Sequence, residues 1–289
     1  MNKISRRDFL GRTAIGMGAA VLAPRFSFSS EMKKTLKPKK MLIGFQTWTI
    51  RESLVKDFHG TLKKMAGMGY QDLEMCSPPG YQFAGFAPLM KYSAKEMKQI
   101  INDAGLVCTS AHYTFPELKN NLDERVAYAL EVGQKQMILS SFGLPSKATL
   151  DDWLKAADEL NLAGMKAKLQ GMQLGFHNHH MEFAQLDGKL IYDELMGRFD
   201  PNYIKMQFQV AVVNIGYKAA DYFRKYPGRF VSAHLADYAS DKKTEAPVGT
   251  GIVDWKEFFA ALKTGGVQNI FVEMSPEVLK ESAEFLKSA

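Results

Sequence analysis

The sequence predicts a single (β/α)8 TIM barrel, and three observations predict it. From Met41 onward, short β-rich runs alternate with amphipathic helical runs, eight of each, with no Ser/Pro-rich linker between them. Several helical runs close on glycine just ahead of a strand, at Gly69, Gly105, Gly171 and Gly265-Gly266, which is the C-cap habit of a βα repeat. Eight such units in the 249 residues from Met41 match one barrel in size. A doubly wound open sheet is the competing architecture. No Gly-x-Gly-x-x-Gly follows the first strand, however, and open sheets of that kind usually have fewer strands.

In chain order the first strand is expected at 41–46 and its helix at 54–68. The second pair is 71–75 and 93–104, the third 106–112 and 118–133, the fourth 136–140 and 149–171. The fifth is 173–178 and 189–199, the sixth 204–210 and 219–226, the seventh 230–235 and 254–264, the eighth 269–274 and 276–287. Cys76 at the exit of the second strand and Cys108 near the entry of the third lie about four residues of strand apart, too far for a disulfide. Both thiols are expected to be unpaired, and no zinc-ribbon spacing is present.

Hydrophobic residues make up 46% of the 289 and charged residues 24%, which excludes disordered, collagen-like and coiled-coil classes. The net charge of +6 would suit a nucleic-acid partner if it were spread over the barrel. It is not: residues 1–40 hold 10 basic and 2 acidic side chains, and residues 41–289 hold 27 and 29, a charge of −2. The basicity belongs to the leader, and no nucleic-acid partner is expected. Ser5-Arg6-Arg7-Asp8-Phe9-Leu10, followed by a Gly/Ala-rich apolar stretch from Thr13 to Ala23, resembles a twin-arginine export signal. The expected organisation is a removed signal peptide at 1–30, a basic linker at 31–40 and the barrel at 41–289. The twin-arginine translocation machinery is the implied transport partner and the periplasm the implied address. No segment approaches the 18 or so apolar residues of a membrane span.

In such a barrel, catalytic groups lie inward at the carboxyl ends of the strands, where residues i and i+2 share a face. The last turns of the eight strands present Gln46, Glu74, His112, Ser140 or Ser141, His177 with His179, Gln207 with Gln209, Ser232 with His234, and Glu273. Five of the six histidines fall at or just beyond a strand exit. So many polar groups converging on one rim mark a functional cleft, since each would otherwise lack a partner, at about 1–3 kcal/mol apiece. Two imidazoles and a carboxylate, His177, His234 and Glu273, suit a divalent ion such as Mn²⁺, Zn²⁺ or Co²⁺ if the barrel closes. Gln46, Trp48, Glu74, His112, Gln209 and Asp237 are candidates for substrate contact. Glu74 and Ser140 have a structural reading as well, and His180 is expected to face away or cap its loop. Tyr113, Trp48 and Phe176 are candidates for an apolar wall against a sugar ring, or for simple rim packing.

Several stretches in order, Gly44 to Arg51, Gly60 to Met65, Gly175 to His179, Tyr226 to Phe230, Ala233 to Asp237, Val248 to Trp255 and Val272-Glu273, resemble the xylose isomerase-like barrel family, often labelled sugar phosphate isomerases/epimerases. The resemblance implies a divalent metal held by acidic residues and a histidine at the exits of strands five to eight, and a proton moved beside a sugar carbonyl. By position His234 matches the family's seventh-strand histidine and Glu273 its eighth-strand glutamate. Two positions depart: His177 stands where glutamate is common, and Gln209 where aspartate is usual. The four-ligand charge changes from −3 to −1, which should weaken metal binding, and the second carboxylate of a two-glutamate epimerisation is gone.

The expected activity is therefore sugar isomerisation or epimerisation by proton transfer next to a carbonyl, metal-assisted, with Glu273 as base or ligand and His177 and His179 as partner acids. Elimination by a lyase or dehydratase is the second reading, and a sugar-binding barrel without chemistry the third. Export, and the lack of a phosphate loop, argue for an unphosphorylated sugar or keto-sugar.

Overall fold

The computed structural model describes residues 41–289; the expected signal peptide and basic linker lie outside the described residues. Eight parallel strands close into one barrel: β1 (Ile43–Gln46), β2 (Asp72–Cys76), β3 (Val107–Tyr113), β4 (Gln136–Leu139), β5 (Gln173–His177), β6 (Ile204–Gln209), β7 (Phe230–Leu235) and β8 (Asn269–Val272). Each strand pairs with its sequence neighbours, and β8 closes on β1 through Ile43 opposite Ile270. Among the described residues no helix is long and apolar enough to cross a membrane.

The helical layer differs from expectation where a residue leaves helical geometry within an apolar stripe. The helix expected at 54–68 is two, α1 (Arg51–Lys56) and α2 (Phe58–Met68). Asp57 leaves helical geometry between them and its side chain accepts the Gly60 N–H, starting α2 afresh. After α3 (Ala94–Asp103), the run expected at 118–133 is also two helices, α4 (Phe115–Asn120) and α5 (Leu122–Val132), divided where Asn121 leaves helical geometry without a side-chain cap. Helix α6 (Leu150–Leu169) follows expectation, opened by a capping box between Thr149 and Asp152. A two-residue antiparallel ribbon, Gln185–Leu186 with Lys189–Leu190, precedes α7 (Ile191–Arg198). The layer ends with α8 (Ala219–Lys225), α9 (Trp255–Gly265) and, after a 3₁₀ turn at Pro276–Val278, α10 (Leu279–Ser288). Cys76 and Cys108 are buried, free thiols, as expected.

Three features of the barrel interior position the site. The first is glycine at a close approach: a Cβ on Gly44 would lie 2.4 Å from the Phe271 ring, and that ring meets His234 edge-on at 6.2 Å. The second is a pair of bulges. Leu73 is opposite Cys108 but Glu74 is opposite Ser110, and Met206 is opposite Phe230 but Gln207 is opposite Ser232, so Thr109 and Val231 are extra residues. Each bulge delivers a serine hydroxyl to a buried polar side chain one layer below the mouth. The third is a polar plug at the amino-terminal pole, where Asp72 accepts from the Thr109 N–H (3.0 Å), the Thr109 hydroxyl and Asn269 Nδ2 (3.3 Å).

Burial pushes the Asp72 carboxyl up to about 6 from its ordinary 3.8, despite those hydrogen bonds. A raised acid favours the fold fully below its unfolded pKa and loses that contribution as pH rises through the folded value. Asp72→Asn cannot ionise. Its stability relative to wild type should therefore improve between pH 3.5 and 8, by up to about 3 kcal/mol. Denaturant unfolding of both proteins across that range checks it, and a difference independent of pH would refute it.

Candidate functional site

The strand exits bring His112, His177 and His234 together as a triangle, with ring centroids 4.5–5.1 Å apart. Alternation along β3, β5 and β7 turns these three inward, and each is buried. Beneath them lies Glu74, also buried. Its carboxylate accepts from Ser110 Oγ (2.6 Å) and Gln207 Nε2 (2.7 Å) on one oxygen, and faces His234 Nε2 (2.5 Å) and His112 Nε2 (3.1 Å) on the other. Glu74 thus touches no mouth-facing group other than the histidines. Its oxygens are engaged in supporting the ring, which favours the structural one of the two readings the sequence leaves open over substrate contact.

Glu273 flanks the triangle from β8. Its Oε2 accepts from Gln209 Nε2 (2.6 Å) and pairs with His234 Nδ1 (2.8 Å), and its side chain is 15% exposed where His234 and Glu74 have none. Gln209 is locked by this contact and by the Ala211 N–H, which its Oε1 accepts at 3.1 Å. Gln46 is buried on β1: its Nε2 faces His112 Nδ1 (3.3 Å) and its Oε1 accepts the Trp48 N–H. Trp48 is half-buried at the rim with the Arg51 guanidinium 4.7 Å from its ring centre. His179 also reaches the site, 4.8 Å from the His177 ring, and its Nδ1 is buried with no partner. His180 is exposed and pairs with Asn214 Oδ1 at 2.9 Å, so it faces away as expected.

Asp237 requires a correction. Its buried carboxylate accepts from the backbone N–H groups of Tyr238, Gly249, Gly251 and Val253 and from the Trp255 indole at 2.8–3.2 Å. No lone pair is left for a substrate, and its task is to fold the 238–254 loop. Tyr113 and Phe176 are corrected too. Each neighbours an inward histidine and so points outward into the helical layer, Tyr113 bonding Gln134 and Phe176 packing on Phe142 and Phe199. The rim aromatics that sequence reasoning missed are Tyr81 and Phe83. Tyr81 stacks on Phe83 at 5.6 Å, meets Trp48 edge-on at 6.1 Å and donates to Ser140 Oγ at 2.5 Å, while Phe83 is 78% exposed. The Pro78-Pro79-Gly80 turn, with its long connection before α3, was the available signal. Glu182 was missed as well: it accepts the His179 N–H at 2.6 Å and holds that histidine's backbone.

The charges sort by depth. Burial alone would raise the Glu74 carboxyl, but His112 and His234 beside it hold it well below the usual carboxylate range. Burial would lower His234, yet Glu74 and Glu273 on its two nitrogens bring it up to about 9. Burial likewise opposes Glu273, and His234 wins, lowering it from 4.5. Away from the carboxylates, burial pushes His177 far down and His179 down to about 4, so both are neutral imidazoles at working pH.

The three imidazoles could hold a metal ion: one ligand nitrogen from each lies within 4.8 Å of the others. His112 stands where sequence reasoning placed Glu273 as the third group of the set. Imidazole nitrogens suit Zn²⁺, Co²⁺ or Mn²⁺ better than the hard oxygen-seeking ions, and the unpartnered His179 Nδ1 next to them fits a site built for a further contact.

A closed eightfold βα barrel with its polar side chains gathered at the carboxyl ends of the strands is the architecture of a barrel enzyme. The chain belongs to the xylose isomerase-like TIM barrel family, whose sequence model matches residues 62–289. Inosose dehydratase of Clostridium perfringens is 31% identical over 96 residues, which span only 33% of this chain and 32% of that enzyme. Among solved structures, a sugar phosphate isomerase/epimerase of Parabacteroides distasonis superposes with a TM-score of 0.74 at 23% identity, covering 86% of this chain and 94% of the other. The 3-keto-D-glucoside 4-epimerase of E. coli gives 0.61 at 18% identity, covering 86% of this chain and all of the other.

Proposed function

We propose that the protein is a sugar isomerase or epimerase that removes a proton from the carbon next to a carbonyl, with Glu273 as the base. One observation carries this reading. Of the carboxylates at the strand exits, Glu74 and Asp237 have their oxygens engaged internally, and Glu273 alone combines exposure to the mouth with an oxygen, Oε1, not held by Gln209 or His234. Glu273 holds the proton it removes and can return it, and His179, neutral and with an unpartnered nitrogen, is placed to relay a proton between substrate oxygens, accepting one at one nitrogen as it gives one from the other, with His177 beside it. Trp48, Tyr81 and Phe83 offer a face for a sugar ring. A divalent ion held by His112, His177 and His234 would supply stabilisation for the oxyanion that forms when the proton leaves.

The substrate in this reading is an unphosphorylated sugar or keto-sugar. The segment best suited to cradle a phosphate, Val248 to Gly251, has its Gly249 and Gly251 N–H groups turned inward onto Asp237. The sugar specificity named for the E. coli neighbour, a 3-keto-glucoside, is of the same kind. Elimination of a β-substituent is the second reading. It is favoured by the single available carboxylate, since one base and one acid suffice, and by the inosose dehydratase similarity. Incubation with keto-sugars and keto-glycosides in D₂O tests both: deuterium in an isomeric sugar is the expected result. An unsaturated product or released aglycone would replace the first reading by the second, and sugar binding without exchange or product would leave a binding barrel.

A further inference from the structure

Three buried histidines in a ring have six nitrogens and many ways to place their protons. The layer beneath them removes that freedom. A carboxylate only accepts hydrogen bonds, so all four groups at Glu74 are donors: Ser110 Oγ, Gln207 Nε2, His234 Nε2 and His112 Nε2. Because Gln207 turns its NH₂ to Glu74 and to Ser232 Oγ (2.9 Å), its carbonyl oxygen must face the other way. There it accepts from His112 Nε2 (2.7 Å) and His177 Nδ1 (2.9 Å). Glu74 therefore dictates the tautomer of His177, which it does not touch, through the orientation of one amide. The two bulges at Thr109 and Val231 are what put Ser110 and Ser232 against this pair.

We propose that Glu74 and Gln207 are positioning residues that fix one nitrogen of each of the three imidazoles as a donor, aim the remaining nitrogens at a metal ion, and supply from below the negative charge that His177 and Gln209 do not bring. The nitrogens left over are His112 Nδ1, which faces Gln46, and His177 Nε2; His234 donates to a carboxylate from both nitrogens, to Glu74 and to Glu273, and joins the set when its Nδ1 proton gives way to the incoming ion. Outer-sphere carboxylates and amides of this kind orient imidazole ligands and raise their basicity. The metal half of the proposal rests on the reading of the histidine ring as a metal site; the tautomer half does not.

Long-range ¹⁵N–¹H spectra of the metal-free protein should show His112 as its Nε2–H tautomer and His177 as its Nδ1–H tautomer. The opposite tautomer at His177 would overturn the proposal without any variant being made. Glu74→Gln should release the His177 tautomer to a mixture and weaken Zn²⁺ binding, measured by chelator competition, by about 10- to 100-fold. Adding Gln209→Asp to Glu74→Gln should restore affinity by returning a carboxylate to the site. Unchanged tautomers with zinc affinity within about threefold in Glu74→Gln would overturn the proposal. The expected tautomers in a wild-type protein that binds no zinc would overturn the metal half together with the metal reading, and would leave proton transfer by Glu273 to be judged by the D₂O experiment.

Discussion

Replacing Glu273 by glutamine is expected to lower kcat by about 10³- to 10⁴-fold while KM changes little, the signature of a lost proton acceptor rather than of lost binding. The substitution keeps the side chain's length and shape. One amide oxygen can still accept from Gln209 or from His234, so the fold should survive, and an unfolding midpoint close to wild type checks that. Glu273 also borders the histidine ring, and a purely ligating role would look different: activity lost through weak metal binding returns when Zn²⁺, Co²⁺ or Mn²⁺ is raised, whereas a missing base is not restored by any metal concentration. Recovery of more than a tenth of wild-type turnover at saturating metal would rule out Glu273 as the base. The pH profile adds an independent constraint. His234 holds Glu273 ionised below its ordinary 4.5 against the opposing effect of burial, so in wild type the acid limb of kcat/KM should fall below pH 4.5. As a depressed carboxylate it also stabilises the fold above its unfolded pKa, and that contribution fades as pH drops through the folded value.

What the sequence made legible was anything governed by alternation. His112, His177, His234 and Glu273 fall on the inward phase of their strands' last turns, and the barrel brings them to one rim. The same rule was available for Tyr113 and Phe176: each is one residue beyond or before an inward histidine and must point outward, as both do. Other features depended on tertiary partners that periodicity does not encode. Glu74 reads equally as a substrate contact or a structural carboxylate until the bulge at Thr109 brings Ser110 against it and Gln207 arrives from across the barrel. Asp57 and Asn121 sit in unbroken amphipathic patterns, and the helices divide there because the chain leaves helical geometry at those residues. Phe83 is invisible as a site residue because its significance lies in stacking on Tyr81, in a loop whose path no repeat fixes.

Asp237→Ala is expected to destabilise the protein by about 3–5 kcal/mol, among the largest effects of any single change outside the barrel core. The reason lies in how many donors one carboxylate serves. Removing it leaves four backbone N–H groups and the Trp255 indole N–H without their acceptor in a loop that covers the end of β7. Each buried donor left unpaired costs about 1–3 kcal/mol, and water entering the relaxed loop recovers part of the total. The packing is close enough that a Cβ on Gly251 would fall 2.2 Å from Asp237 Oδ1, so the loop cannot simply close over the gap with other side chains. Asp237→Asn should be milder, because its oxygen can keep two or three of the donors while its NH₂ opposes the rest. The loop is also tied to the exit of β8, where Glu245 accepts the Ser275 N–H at 2.8 Å two residues beyond Glu273. Loosening it should therefore lower kcat as well as stability, and expose 238–254 to protease. Denaturant unfolding with an unchanged m value, limited proteolysis and steady-state kinetics on the two variants separate this role from direct substrate contact. A ligand-contacting aspartate would raise KM in Asp237→Asn and leave the unfolding midpoint where it was; a loop-organising one moves the midpoint in both variants, further in Asp237→Ala.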